Sequence, residues 1–257
     1  MNIDRPAQST EPNIENRVSV WWLDLAVVSD RHWSALENLL EVEEQERAQR
    51  FHFPHDRHAY IAAHAVARAL LTRWAGHDAL AWRFTIGAYG KPEVVSPPER
   101  PGLRINLSHT RGMVAAALTQ HHDIGVDVEW LERKCDIEGL AEQVFTAEER
   151  ALLQNTPADK KQDLFLTLWT LKEAYIKAIG KGLSQPLNAF HFSLEPLAIH
   201  FKMPSLEDTP NDPATWWFRH AHPTDTHRLA LAIRHPDPPS LDVTIEAAPL
   251  DWIAGLR

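Results

Sequence analysis

The chain has 257 residues, 44% of them apolar, and a formal net charge of −9. That charge excludes a general nucleic-acid binder but not a pocket for an anionic ligand, whose affinity follows the local field. The single cysteine, Cys135, excludes an intrachain disulfide and fits a reducing, cytoplasmic setting; the polar start Met1-Asn2-Ile3-Asp4-Arg5-Pro6 has no signal-peptide core after it, and the apolar stretch 18–28, broken by Asp24, is too short to span a bilayer.

Residues 1–17 are rich in Pro, Ser, Asn and Glu and read as a disordered lead-in. A strand is predicted over 18–25, then helices near 30–40 and 43–51, and a long helix over 55–74 marked by Tyr60, Val66, Leu70 and Trp74. Arg47 and Arg50 lie three apart on the second helix, where Glu43 and Glu46 can partner them as a solvated face. Strands follow near 83–86, 103–108 and 113–119. Between the first two, Gly90-Lys91-Pro92 makes a stiff corner: glycine lets backbone approach a ligand, proline fixes the turn, and the lysine is presented. Asn106-Leu107-Ser108-His109 ends the next strand, with a hydroxyl and an imidazole that can both donate to a phosphate.

A strand over 124–130 comes next. Ile124, Val126 and Val128 alternate with Asp127 and Glu129, so the valines point into a core and the two carboxylates share the other face. Asp127 is therefore expected to face out of the core. Mg²⁺ favours one or two carboxylates plus phosphate oxygens and water; a solvated acidic face is the alternative reading of the same strand. Helices follow near 136–144 and 147–155. Thr146-Ala147-Glu148-Glu149 is a capping box, which assigns Glu149 to capping ahead of catalysis. On a helix over 162–179, Leu164, Leu168, Leu171, Tyr175 and Ile179 form one face, widened by Phe165, Trp169 and Ile176. Glu173 and Lys177 lie beside that face, one turn apart, as a surface pair or as part of a site. Lys172 falls inside the apolar arc, where it must snorkel, pair or meet a ligand. Gly180-Lys181-Gly182 stops the helix. The turn through Leu183 and Leu187 is either an apolar anchor for an acidic partner or core beneath Phe190 and Phe192. Strands near 190–194, 215–220 and 228–234 precede a tail, 235–257, with one more strand near Val243–Glu246. The histidines, including His52, His55, His58 and the His121-His122-Asp123 cluster, show no zinc spacing and read as surface and turn residues.

Element order and size repeat, although residue identity hardly does. The pattern predicts an α+β fold of two similar halves, each a long helix packed on a small antiparallel sheet. The halves are read as 18–121 and 122–257, meeting near Thr119–Asp123.

Five blocks in order, Gly90-Lys91-Pro92, Asn106-Leu107-Ser108-His109-Thr110, Gly125-Val126-Asp127-Val128-Glu129, Phe145-Thr146-Ala147-Glu148-Glu149 and Trp169-x-x-Lys172-Glu173-Ala174-Tyr175-x-Lys177-x-x-Gly180-x-Gly182, resemble the 4′-phosphopantetheinyl transferases of the surfactin-synthetase type. The resemblance implies a pseudo-dimer that moves the phosphopantetheine arm of coenzyme A to a serine of an apo acyl or peptidyl carrier protein. It implies that adenosine 3′,5′-bisphosphate leaves. It implies Mg²⁺, or Mn²⁺, on Asp127, Glu129 and Glu173, with Lys172 and Lys177 neutralising the pyrophosphate. Glu173 would be metal ligand, base or both, kept ionised near neutral pH by the two lysines. Arg47, Gly90, Lys91, Pro92, Ser108 and His109 would hold the 3′-phosphate end. Where the family often carries a second basic residue one turn before Arg47, this chain has Glu44. With motifs for the two ends of coenzyme A in different halves, each half is expected to supply one wall of a single cleft and the chain to be active as a monomer, with neither nucleic acid nor membrane as a partner. The rival readings are a carrier-binding module without turnover and another Mg²⁺-dependent phosphotransferase; no Gly-x-x-x-x-Gly-Lys-(Ser/Thr) loop is present for the latter.

Overall fold

One series of elements runs through the chain twice. The computed structural model describes residues 16–87, 92–96, 102–182, 185–202 and 212–256. The first pass is β1 (Arg17–Asp24), α1 (Asp30–Asn38), α2 (Val42–Gln49), α3 (Pro54–Ala75), the hairpin β2 (Arg83–Ile86) and β3 (Pro92–Ser96), then β4 (Leu103–Thr110) and β5 (Met113–Gln120). The second is β6 (Ile124–Trp130), α4 (Ile137–Val144), α5 (Ala147–Gln154), α6 (Ala158–Ile179), the hairpin β7 (Phe190–Leu194) and β8 (Leu197–Phe201), then β9 (Trp216–Thr224) and β10 (His227–Arg234). The strand β11 (Asp242–Ala247) and a short helix α7 (Leu250–Ile253) follow.

The two long helices, α3 and α6, are both 22 residues. Each ends on a glycine in the left-handed region, Gly76 at φ 76° and Gly180 at φ 68°, where a Cβ would be strained. The α3 helix starts on Pro54, whose missing N–H costs nothing in a first turn.

Strand order is β11-β1-β5-β4 in one sheet and β6-β10-β9 in the other. Within each pass the first strand pairs antiparallel with the last, β1 with β5 and β6 with β10. Period-2 alternation then divides the cores. Trp21, Leu23, Val114, Ala116 and Leu118 pack on α3. Ala230 and Ala232 pack on α6. The opposite faces of the two sheets meet each other, Val18, Val20, Met113, Ala115 and Ala117 with Ile124, Val126, Val128, Leu229, Leu231 and Ile233. The layers therefore run helix, sheet, sheet, helix, and the predicted α+β fold of two similar units is what forms.

A buried cation anchors each unit. Arg68 of α3 binds Glu44 of α2 at 2.8 Å and donates to the carbonyls of Ala79 and Trp82. Lys172 of α6 binds Glu149 of α5 at 2.9 Å and donates to the carbonyls of Leu187 and Phe190. Both acids also complete the capping box of their own helix.

Three elements differ from the sequence expectation. The strands 92–96 and 197–201 are each half of a two-stranded hairpin, too short and too close to Pro92 and Pro196 to stand out. The tail strand β11 joins the first unit's sheet, parallel to β1, with Arg17 opposite Asp242 and Trp22 opposite Ala247. The expected lead-in lies outside the described residues apart from its last two. No helix among the described residues is long and apolar enough to cross a membrane.

Candidate active site

The carboxylates of β6 lie where that strand meets α6 on one side and β4 on the other. Gly125 sets the approach: a Cβ there would stand 2.0 Å from Ala174 O and 2.4 Å from Ala178 N. Backbone that close brings Glu173 and Lys177 of α6 over Asp127. From β4, the even positions Asn106, Ser108 and Thr110 reach toward β6, while Leu103, Ile105 and Leu107 pack on the first unit's core.

Lys177 is the hub. Its Nζ lies 2.7 Å from Asp127 Oδ1 and donates to Ser108 Oγ at 2.9 Å and Val126 O at 3.2 Å. Ser108 in turn donates to Asp127 Oδ1 at 3.0 Å. Thr110 donates to Glu129 Oε2 at 3.4 Å and Arg133 to Glu129 Oε1 at 3.0 Å. Burial pushes the Glu173 carboxyl above the usual range, and the Asp127 charge adds to it against Lys177. Glu129 is raised likewise, by burial and then by Asp127, against Arg133. Three acids thus share one field.

Two oxygens in this cluster, Asp127 Oδ2 and Glu173 Oε1, are buried without a hydrogen-bond partner. A buried acceptor left unmade is costly, and two of them beside a third carboxylate fit a cation. Among the described residues no three His, Cys, Asp or Glu side chains stand ready as a ligand set: Lys177 supplies the positive charge at Asp127, and Arg133 holds Glu129.

Several expectations change here. Asp127 does not face out of the core; it is 5% exposed. Lys172 is not brought to the cluster. It is fully buried, with its donors taken by Glu149, Leu187 O and Phe190 O, so the apolar-arc lysine resolves as a paired one. Burial lowers its pKa to about 8, against the pull of Glu149. With Lys172 turned away, Lys177 alone pulls the Glu173 pKa down, and burial and like charge outweigh it. Ser108 is buried, and its one proton goes to Asp127, so it does not serve as a phosphate donor in this arrangement. Glu149 caps α5, with Thr146 N on its Oε2 at 3.0 Å, and accepts from Phe192 N at 3.1 Å.

Lys172→Met is expected to lower folding stability by about 3–5 kcal/mol, because Glu149 is left buried and uncompensated. The Glu149→Gln/Lys172→Met double variant should recover much of that. Urea unfolding of wild type and the two variants checks it; a Lys172→Met protein as stable as wild type would show that the pair is not a clamp.

His109, the neighbour of Ser108, projects to the other face of β4. It rims an open cavity of about 640 Å³ with Leu25, Trp33, His55, Asp56 and Ala59. Although the side chain is exposed at that rim, partial desolvation there and then the Lys177 charge lower its pKa. Arg47 is exposed on α2, its guanidinium 5.7 Å from the Tyr60 ring centroid. Glu44 does not project beside it: Arg68 and His64 bind it at 2.8 and 2.7 Å. Burial opposes its ionisation, yet His64 and Arg68 hold its pKa below the usual value. Pro92 lines a second cavity, of about 430 Å³, with Gly102–Ile105 and the end of α6. Gly90, Lys91 and Leu183 lie outside the described residues. Leu187 is half-buried against the cluster that contains Phe190 and Phe192.

Sequence reasoning missed Asn106, Thr110, Gly125 and Arg133 as parts of this arrangement. The first two carried a signal, their period-2 spacing with Ser108 on one strand.

Comparison with known proteins places the arrangement. A profile described as "4′-phosphopantetheinyl transferase superfamily" matches residues 123–233, and one described as "4′-phosphopantetheinyl transferase, N-terminal" matches 28–121. The 4′-phosphopantetheinyl transferase HetI of Nostoc is 33% identical over 71% of this chain and 76% of its own length. The 4′-phosphopantetheinyl transferase Sfp of Bacillus subtilis is 28% identical over 85% of this chain and 95% of its own. A solved holo-(acyl-carrier-protein) synthase of Bacillus anthracis, in complex with CoA, is similar at a TM-score of 0.34 and 17% identity, over 44% of this chain and 94% of that one. Identity of this level across three quarters of the Nostoc relative, on a chain that carries the motifs in order, means that it belongs to the 4′-phosphopantetheinyl transferase superfamily.

Proposed function

We propose that this chain transfers the 4′-phosphopantetheine arm of coenzyme A to a serine hydroxyl of an apo acyl or peptidyl carrier protein and releases adenosine 3′,5′-bisphosphate. The observation that carries the reading is the cluster of Asp127, Glu129, Glu173 and Lys177, with its two unpartnered buried oxygens. Asp127, Glu129 and Glu173 would hold Mg²⁺ or Mn²⁺, which supplies neutralisation of the pyrophosphate charge when bound. Lys177, one turn beyond Glu173, stabilises negative charge on the phosphate oxygens as the pyrophosphate P–O bond breaks. Glu173 accepts the serine proton, directly or through water, as the new phosphoester bond forms; a carboxyl raised toward neutral pH is the better base. Lys172 acts on this chemistry only by holding α6 in place.

Lys91, Pro92, His109 and Arg47 are read as the 3′-phosphate end of the coenzyme A site, and residues 18–121 and 122–257 as the two halves of one cleft. Ser108 and Thr110 come from the first half and the acids from the second, so the chain is active as a monomer; sedimentation of active protein tests that. Arg47→Ala should raise KM for coenzyme A about tenfold, with kcat nearly unchanged, as loss of a charge-assisted hydrogen bond. An unchanged KM removes Arg47 from the site. The test of the whole reading is incubation with coenzyme A, Mg²⁺ and several apo carrier proteins, followed by intact mass. A carrier that gains one phosphopantetheine supports it; no gain on any carrier overturns it.

A further inference from the structure

The two sheets meet at their edges as well as their faces. Strand β4 is an edge of the first sheet and β6 an edge of the second, and no backbone ladder joins them. The amides of Val126 and Val128, two residues apart, face this seam, and each is met by a side chain. Val126 N donates to Asn106 Oδ1 at 2.8 Å, and Val128 N donates to Ser108 Oγ at 3.2 Å. Asn106 and Ser108 are both buried. They therefore stand in for a strand partner, satisfying amides that a sheet edge would leave bare.

We propose that Asn106 is a positioning residue for the catalytic cluster. Val126 is held through both of its backbone polar groups, the amide by Asn106 and the carbonyl by Lys177 at 3.2 Å. The next rung, Ser108, serves both strand and site: it accepts from Val128 N and Lys177 and donates to Asp127. Without the Asn106 rung, the Ser108 hydroxyl is left to set the offset of β6 against β4 by itself. Asp127 then moves relative to Ser108, the one hydroxyl that orients it. Asn106 touches none of the reacting groups; it fixes the offset between the halves on which their alignment depends.

The kinetic consequence rests on the proposed transfer reaction; the structural one does not. In the wild type, hydrogen exchange at the Val126 and Val128 amides should be as slow as at Leu231 on the paired strand β10, which lies opposite Val126. Asn106→Leu keeps the size and removes the acceptor. It should speed exchange at Val126 by about tenfold or more while Leu231 is unchanged. It should also lower kcat by about tenfold or more, with KM for coenzyme A within about twofold. Asn106→Asp, which keeps the acceptor, should retain slow exchange at Val126. Fast exchange at Val126 in the wild type overturns the proposal even if the Leu variant does not fold. So does unchanged exchange in Asn106→Leu, or a kcat equal to that of wild type. A wild type that transfers nothing counts against the function proposed above, and the exchange result still decides this one.

Discussion

Glu173→Gln is expected to lower kcat by about 10²–10⁴-fold, the range of a lost general base, while coenzyme A still binds. The substitution keeps the side chain's shape beside Asp127 and removes its charge and its basicity. Calorimetry with and without Mg²⁺ separates the two roles: metal-dependent coenzyme A affinity that survives assigns Glu173 as base, and its loss assigns it as ligand. The pH profile gives an independent reading. Burial and the Asp127 charge raise the Glu173 pKa in the free protein, so the ionised form accumulates only above the usual carboxylate range. The acid limb of kcat/KM should lie correspondingly high, and the Gln variant should lose it. A variant with near-normal kcat would remove Glu173 from the mechanism.

Asp127→Asn should lower transfer by about 10²–10³-fold, the cost of deleting one preorganised electrostatic partner. It should also destabilise the fold by about 1–3 kcal/mol, because the hydrogen bonds that Lys177 and Ser108 make to a carboxylate become bonds to a neutral amide oxygen. An exposed strand acid would leave stability alone. Joint measurement of kcat and urea unfolding tests both statements. Full activity in the Asn variant, or full activity of the wild type in excess EDTA, would refute a metal role for this residue.

Much of this site was legible because its residues come from strands and helices with strict periods. Alternation along 124–130 put Asp127 and Glu129 on one face, and one helical turn put Lys177 beside Glu173. What alternation cannot tell is what the face meets. Asp127 reads as solvent-facing until α6 is laid across it, and Gly125, whose missing Cβ permits that approach, looks like any strand glycine. Lys172 is the clearest case. Its helical angle showed that it needed a partner, but Glu149 lies 23 positions upstream, and only the fold brings the two within 2.9 Å. Glu44 is similar: beside Arg47 on the helix it looks like a repulsive neighbour for a phosphate, yet Arg68 and His64 take up its charge. Ser108 and His109, adjacent in sequence, serve opposite faces of β4, a separation that the strand period implied and motif reading obscured.

The placement of β11 ties the order of synthesis to the order of assembly. Trp21 Nε1 donates to Glu246 Oε1 at 3.0 Å across 225 positions of sequence, and Ala248 N donates to Trp22 O at 2.7 Å. On a ribosome, β1, α3 and β5 emerge early, yet one flank of β1 stays bare until the other unit has been made. A bare strand edge is a template for pairing with another chain, so nascent protein carries its exposed edge until residues 242–247 have been made. The same link makes the unit that is translated first the one most damaged by a cut near residue 241.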